Sequence, residues 1–235
     1  MTSTIPYHIF PLGDSAITVD FGNRISPGLN NAVMKLYHNL AAAPLPGMEG
    51  VVPGYSSLTV QYDLLFCAGQ CPQGRTVFEW MGELLDLRVR KLDYEEMALS
   101  REIIVPVCYD PSFAPDLEAL AREKGLSVEE VIYLHSLHPY RVYLLGFLPG
   151  FSYLGETDER LAMPRKMQPV QVQAGSIGIA GRQTGIYSLS SPGGWQIIGR
   201  TPLKLFDKDS DNLTLLKPGD SIKFISIRKD EFKDH

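Results

Sequence analysis

Leu58, Val60 and Tyr62 alternate with Thr59 and Gln61, the period of a strand with one buried face. Residues 7–11 and 16–21 have the same β-type character, and Gly13-Asp14 between them predicts a hairpin or tight corner. After residue 21 the period lengthens. Leu29, Val33, Leu36 and Leu40 recur at helical spacing behind Ser26 as N-cap and Pro27 at the first helical position, with Pro46 and Gly47 beyond the end. Thr76 is placed to cap a second helix carrying Val77, Trp80, Met81 and Leu84. Short strands alternating with amphipathic helices predict a small N-terminal α+β domain, with helices packed on one face of a sheet.

The charged stretch 88–101 has a weaker apolar period, and a domain boundary is expected there, dividing the chain into residues 1–95 and 96–235. Residues 102–108 are β-branched and read as a strand entering the second domain. Asp116 is expected to cap a helix bearing Leu117, Leu120 and Ala121 that stops at Gly125. Ser127 and Glu130 form a capping box for a further helix running to about His135. From Arg141 onward the apolar runs are short and broken by glycine and proline, as in a compact β-barrel with Gly-Pro and Gly-Gly corners.

Composition narrows the function classes. With 44% hydrophobic residues in 235, the chain can fill a real core. Its net charge of -5 gives no basic surplus for a phosphate backbone or an anionic membrane, so neither nucleic acid nor membrane is expected as a partner. The first residues lack a basic start and a long apolar run, and no stretch of 18 apolar residues occurs, so a cytoplasmic protein is expected. Cys67, Cys71 and Cys108 form an odd set that suits a reducing compartment, and no second Cys/His pair completes a metal site. No metal is expected.

Chemistry concentrates between residues 146 and 201. In residues 146–155, GFLPGFSYLG, a Pro149-Gly150 turn is flanked by Phe147 and Phe151, rings that line a pocket wall or pack a hairpin corner. Residues 174–187, AGSIGIAGRQTGIY, are dense in glycine before a polar burst. The missing side chains either let a ligand approach, with Arg182 offering a planar donor fork, or turn barrel corners. In residues 191–202, Gly193 and Gly194 present Trp195 with Arg200 on the following strand, either as an aromatic platform and a cation for a planar anion or with Trp195 in the core and Arg200 as a surface ion-pair partner. Gly181, Gly193 and Gly194 complete the expected wall. His135 and His138 lie three apart near a helix end, where the dipole favours a protonated ring. Helix capping or packing is the expected job of these histidines, and His135 is the one candidate acid/base. No P-loop, G-x-G-x-x-G or G-x-S-x-G occurs, so ATP, if used, is not bound here by a recognisable motif.

The three glycine-rich pieces, together with Pro164-Arg165, closely resemble the signature of the allophanate-hydrolase subunit 1 family, the carboxyltransferase domain subdomains C and D. Residues 13–15, 53–63, 106–109 and 115–117 extend the resemblance over essentially the whole chain. One arginine and one proline of the family pattern are absent between Gln168 and Gly175, and residues 110–114 replace a glycine-rich run. The resemblance implies a small N-terminal α/β sandwich domain and a C-terminal cyclophilin-like β-barrel. It also implies one of three activities. The leading one is the B subunit of an ATP-dependent 5-oxoprolinase, inactive alone, that converts 5-oxo-L-proline to L-glutamate with subunits A and C. The others are an inhibitor of a sensor histidine kinase and one half of a urea-type, biotin-dependent carboxyltransferase. For the first, Arg182, Gln183, Thr184, Tyr187, Trp195 and Arg200 are the candidate substrate-binding residues. A homodimer is compatible with the sequence.

Overall fold

A computed structural model describes residues 5–92 and 101–233. Contacts gather into two compact units, Met1–Leu99 and Ser100–His235. The boundary expected between residues 95 and 96 lies outside the described residues.

The first unit contains β1 (His8–Pro11), β2 (Ala16–Asp20), α1 (Pro27–Ala42), β3 (Met48–Pro53), β4 (Ser57–Tyr62), α2 (Leu64–Gln70) and α3 (Val77–Arg90). Its antiparallel sheet has the order β1-β2-β4-β3. Strand alternation decides which side is covered. Ile17, Val19, Leu58 and Val60 point into one core with Val33, Leu36 and Leu40 of α1 and Met81 and Leu85 of α3, while Thr18 and Thr59 pair by a 2.8 Å hydrogen bond on the opposite face.

Two of these elements have no signature in the pattern. β3 (MEGVVP) carries a bulge between Met48 and Gly50 that breaks its alternation. α2 is only seven residues long, too short to repeat an apolar spacing, and forms because the Asp63 carboxylate accepts from the Leu65 and Phe66 N–H groups. Thr76 and Glu79 form a reciprocal capping box at α3. Ser26 does occupy the N-cap of α1, but its hydroxyl makes no capping bond, so Pro27 and the buried face carry that helix start.

The second unit begins with β5 (Glu102–Cys108), α4 (Leu117–Lys124), α5 (Val128–Ser136), β6 (Tyr140–Leu145) and β7 (Ser152–Glu156). It continues with β8 (Val170–Val172), β9 (Ser176–Ala180), β10 (Gln183–Ile186), β11 (Ser191–Gly193), β12 (Gln196–Arg200) and β13 (Ser221–Ile227). Seven strands close a barrel in the order β10-β7-β6-β13-β5-β12-β9. Closure depends on β5 and β13, paired in parallel from Glu102↔Ser221 to Cys108↔Ile227. Arg101 and Asp220 fasten the same end through hydrogen bonds of 3.1 and 2.5 Å.

Inward residues such as Val107, Val142, Ile177, Ile179, Ile198 and Phe224 fill the barrel together with apolar residues of α4 and α5. Gly125 ends α4 in the left-handed region, and the expected Ser127–Glu130 capping box starts α5. Asp116 precedes α4 without capping it. Its carboxylate instead accepts from the Ile197 N–H at 2.6 Å and pairs with Lys166 at 2.6 Å, tying the helix start to β12. The protein is therefore mixed α/β, with a closed seven-strand barrel and five α-helices among the described residues. No helix is long and apolar enough to cross a membrane among those residues.

Candidate functional site

Alternation along β9 and β10 turns Ile177, Ile179, Thr184 and Ile186 into the barrel and leaves Gly178, Ala180 and Gly185 outside. On that outer face Phe151, Val172, Ala180, Tyr187, Trp195 and Ile197 build a second apolar cluster, covered by the two-stranded ribbon of β8 and β11. The glycines create the space for it. A Cβ on Gly178 would lie 2.8 Å from Trp195 Cβ, and one on Gly185 would lie 2.9 Å from Trp195 Cζ3. The repeated glycines of this segment thus form a groove for the protein's own indole ring.

Trp195 in turn walls a cleft of about 310 Å³, at the small end of the range for ligand pockets. Phe147, Phe151, Tyr153 and Tyr187 supply further aromatic wall, Gly193 and Gly194 leave it open, and Arg165 and Lys166 bring charge. The rings meet edge to face, Phe151 against Tyr187 at 4.9 Å and against Trp195 at 5.6 Å between centroids. Phe147 stands at the rim, exposed, edge-on to Phe151 and Tyr187. Its backbone has φ of 69°, and the Leu148 N–H donates to the Gly146 carbonyl across it at 2.8 Å, a γ-turn. Such a conformation in a non-glycine residue costs about 1–3 kcal/mol and is found where a site is being held in shape.

Arg165 is held in place by its neighbours. The Gln196 side chain donates to the Pro164 carbonyl at 2.9 Å, and the Lys166 N–H donates to the Gly194 carbonyl at 2.7 Å. Between these two clamps the Arg165 guanidinium lies 5.8 Å from the centre of the Trp195 ring. It makes no ion pair or hydrogen bond among the described residues. Lys166, by contrast, is neutralised by Asp116. Burial pushes the Tyr187 phenol up from its ordinary pKa, against the opposing pull of the Trp195 backbone N–H and the Arg165 charge.

The structure brings together Phe147, Phe151, Tyr187, Gly193, Gly194 and Trp195 from the residues singled out in the sequence. It does not bring together Arg182, Gln183 and Arg200. Arg182 lies in the β9–β10 turn, exposed, with Glu156 at 3.5 Å. Arg200 pairs with Ser176 at the opposite end of β9, on the order of 16 Å of strand away. There its Nε donates to the Ala174 carbonyl at 2.7 Å and its guanidinium covers Phe113 and Phe232. It lines a separate cleft of about 150 Å³. Gln183 lies on β10 between Ala180 and Glu156, and Gly181 makes the hairpin turn, bonded to Met163. Pro149 stands outside the cleft wall, its carbonyl accepting from the Ser188 hydroxyl at 2.5 Å.

Thr184 is a correction of a different kind, and His135 takes the packing role expected for it, because both are sealed inside the barrel. The Thr184 hydroxyl donates to the Gly178 carbonyl at 3.1 Å and therefore accepts from His135 Nε2 at 3.0 Å. Nδ1 is left to accept from the Tyr109 hydroxyl at 3.1 Å, and the ring stacks on Phe224 at 4.6 Å. Burial lowers the His135 pKa to about 3, so the ring is neutral, not protonated by the helix dipole as the sequence suggested. Both ring nitrogens are satisfied and the residue is fully buried, which leaves it a packing role. Arg165 itself went unrecognised because its loop has no periodicity; Pro164-Arg165 within the signature was its one signal.

A larger cavity than this cleft, about 490 Å³, lies elsewhere, along residues 204–217 with Arg101. Of its three lining cations, Arg101 and Lys204 are paired with Asp220 and Asp207, and Lys217 donates to the Asn212 side-chain oxygen at 3.4 Å. No group of His, Cys, Asp and Glu residues arranged to hold a metal ion occurs among the described residues.

Comparisons place this architecture among known proteins. The B subunit of 5-oxoprolinase from Bacillus subtilis (strain 168) is 43% identical over 234 residues, covering 97% of this chain and 96% of that protein. The corresponding 5-oxoprolinase B subunit of Escherichia coli O157:H7 is 36% identical, covering 91% and 93%. Among solved structures, TTHA0988 superposes with a TM-score of 0.75 at 35% identity, over 90% of this chain, which spans only 39% of that longer one. The urea amidolyase of K. lactis shares the fold, with a TM-score of 0.71 at 17% identity over 97% of this chain and 15% of its own. A family model matches residues 7–216, and the chain belongs to that family, the carboxyltransferase domain, subdomains C and D.

Proposed function

We propose that this chain is the B subunit of an ATP-dependent 5-oxoprolinase, which opens the lactam of 5-oxo-L-proline to L-glutamate together with subunits A and C. The observation that carries the reading is the end-to-end likeness to proteins named as the B subunit of 5-oxoprolinase, 43% identical across 97% of this chain. The barrel is read as cyclophilin-like. The likeness to 39% of a longer chain supports a unit that works joined to others.

A lactam amide resists hydrolysis through resonance, and phosphorylation of its oxygen, the chemistry that ATP supplies, makes the ring carbon electrophilic. This chain carries no phosphate-binding glycine loop, so ATP is assigned to the assembled complex. An aromatic cleft of small volume suits the other task, keeping a compact ring oriented and away from water.

The test is reconstitution. Glutamate release from 5-oxo-L-proline and ATP is expected only when this chain is combined with subunits A and C, and to stop when it is left out. Release at an equal rate without it would overturn the reading.

A further inference from the structure

We infer that the cleft beside Trp195 binds a compact ring carrying one carboxylate, and that Arg165 is the group that anchors the carboxylate. The inference rests on the 5-oxoprolinase reading for the identity of the ligand, 5-oxo-L-proline, but its geometry stands on this chain alone.

Three features converge. First, the charge is uncompensated. Arg182 has Glu156, Lys166 has Asp116, and Arg200 is spent on Ala174 and two phenyl rings, whereas Arg165 faces the cleft with its planar donor fork unused among the described residues. A guanidinium presented this way matches a carboxylate in two parallel hydrogen bonds. Second, hydrogen bonds at Pro164 and Lys166 fix the backbone on either side of Arg165, which sets the base of its side chain at the cleft and its guanidinium 5.8 Å from the Trp195 ring centre. Third, the walls are aromatic and close together, and Phe147 is held over the opening in a strained γ-turn. A flat five-membered lactam has faces for those rings and a single carboxylate for the arginine.

The experiment uses the full chain with Trp80→Phe, which leaves Trp195 as its reporter, since the chain has two tryptophans. Titration with 5-oxo-L-proline is expected to change the Trp195 emission saturably. Arg165→Gln is expected to weaken binding about ten- to a hundredfold, the worth of a charged hydrogen-bonded pair, with Arg165→Lys recovering part of it and Arg182→Ala none of the loss. 2-Pyrrolidinone, the ring without its carboxylate, and acetate, the carboxylate without its ring, are both expected to bind at least about tenfold more weakly. Equal affinity of Arg165→Gln and the parent, or an emission that does not respond to 5-oxo-L-proline, overturns the inference. The two readings separate in the assembled complex. Turnover with unchanged KM in Arg165→Gln would sink the anchor and keep the place in the enzyme, whereas saturable binding here without turnover by the complex would do the reverse.

Discussion

Replacing Gly178 by alanine is expected to expel Trp195 from the barrel wall. The added methyl would stand 2.8 Å from Trp195 Cβ and 3.2 Å from Ile197 Cδ1, where carbon atoms at rest keep about 3.5–4.0 Å. Trp195 Cβ is not the far end of a flexible chain. It is fixed by the backbone of β12, whose Gln196 and Ile197 pair with Ile179 and Gly178. The collision has to be relieved by shifting a strand or turning the indole out, and overpacking of this kind costs about 1–3 kcal/mol. For a chain of this size each kcal/mol corresponds to roughly 2–4 °C in Tm. Thermal unfolding followed by circular dichroism is expected to show a fall within about 2–12 °C, and the Trp195 emission, read with Trp80→Phe, is expected to shift to the red. Gly194→Ala is the matched control, because its Cβ meets nothing nearer than 3.6 Å. A Gly178→Ala protein with the parental Tm and emission would refute the account of these glycines as a groove for the indole.

The remaining expectations concern other parts of the chain. Burial holds His135 at a pKa of about 3, against about 6.5 in an unfolded chain. Between those values the unfolded state binds the extra proton, so stability rises with pH across the window and falls as acid is added, by at most about 1.4 kcal/mol per pH unit. Urea midpoints between about pH 7 and 5 are expected to show this slope and His135→Gln to flatten it; an unchanged slope in the variant would assign the effect to another group. Asp110 and Asp158, held near 2 by their hydrogen bonds, act below that range. The Ser191 hydroxyl is buried without a hydrogen-bond partner among the described residues, so Ser191→Ala is expected to keep or raise stability in urea by up to about 1 kcal/mol; a clear loss would mean that the hydroxyl has a partner. Thr76→Ala removes the capping box of α3 and is expected to cost about 1 kcal/mol, with faster amide exchange in that helix's first turn as the check.

Much of the architecture was legible because it is local. The period of β4, the apolar stripe of α1 and the Ser127–Glu130 capping box each follow from residues within one turn or one strand of each other. The grouping of the cleft's aromatic residues was legible too, since Phe147, Phe151, Tyr187 and Trp195 sit in the glycine-rich segments, although only Phe147 is exposed and the other three rings are buried against one another. What failed was anything that depended on how segments face one another. Arg182 and Arg200 lie close in sequence, yet β9 runs between them and holds them at opposite ends. His135 ends a helix and so looked available, but the barrel closes over it through Thr184 and Tyr109, partners 49 and 26 residues away. Asp116 had the residue type of a cap and was taken instead by β12 and Lys166. In each case a side chain with a sound local role was claimed by a stronger nonlocal partner.

The pairing of β5 with β13 has a consequence for how the protein is made. Arg101 and Asp220 are 119 residues apart in sequence, yet they meet at the seam where the barrel shuts. A growing chain on the ribosome has β5 in hand long before its neighbour exists, and in that interval the strand offers unpaired amides and carbonyls to any other extended segment nearby. Closure of the barrel therefore waits for β13, although pairings such as β9 with β10 and β6 with β7 are local. The barrel's yield in the cell depends on keeping that early strand apart from others until the last one emerges.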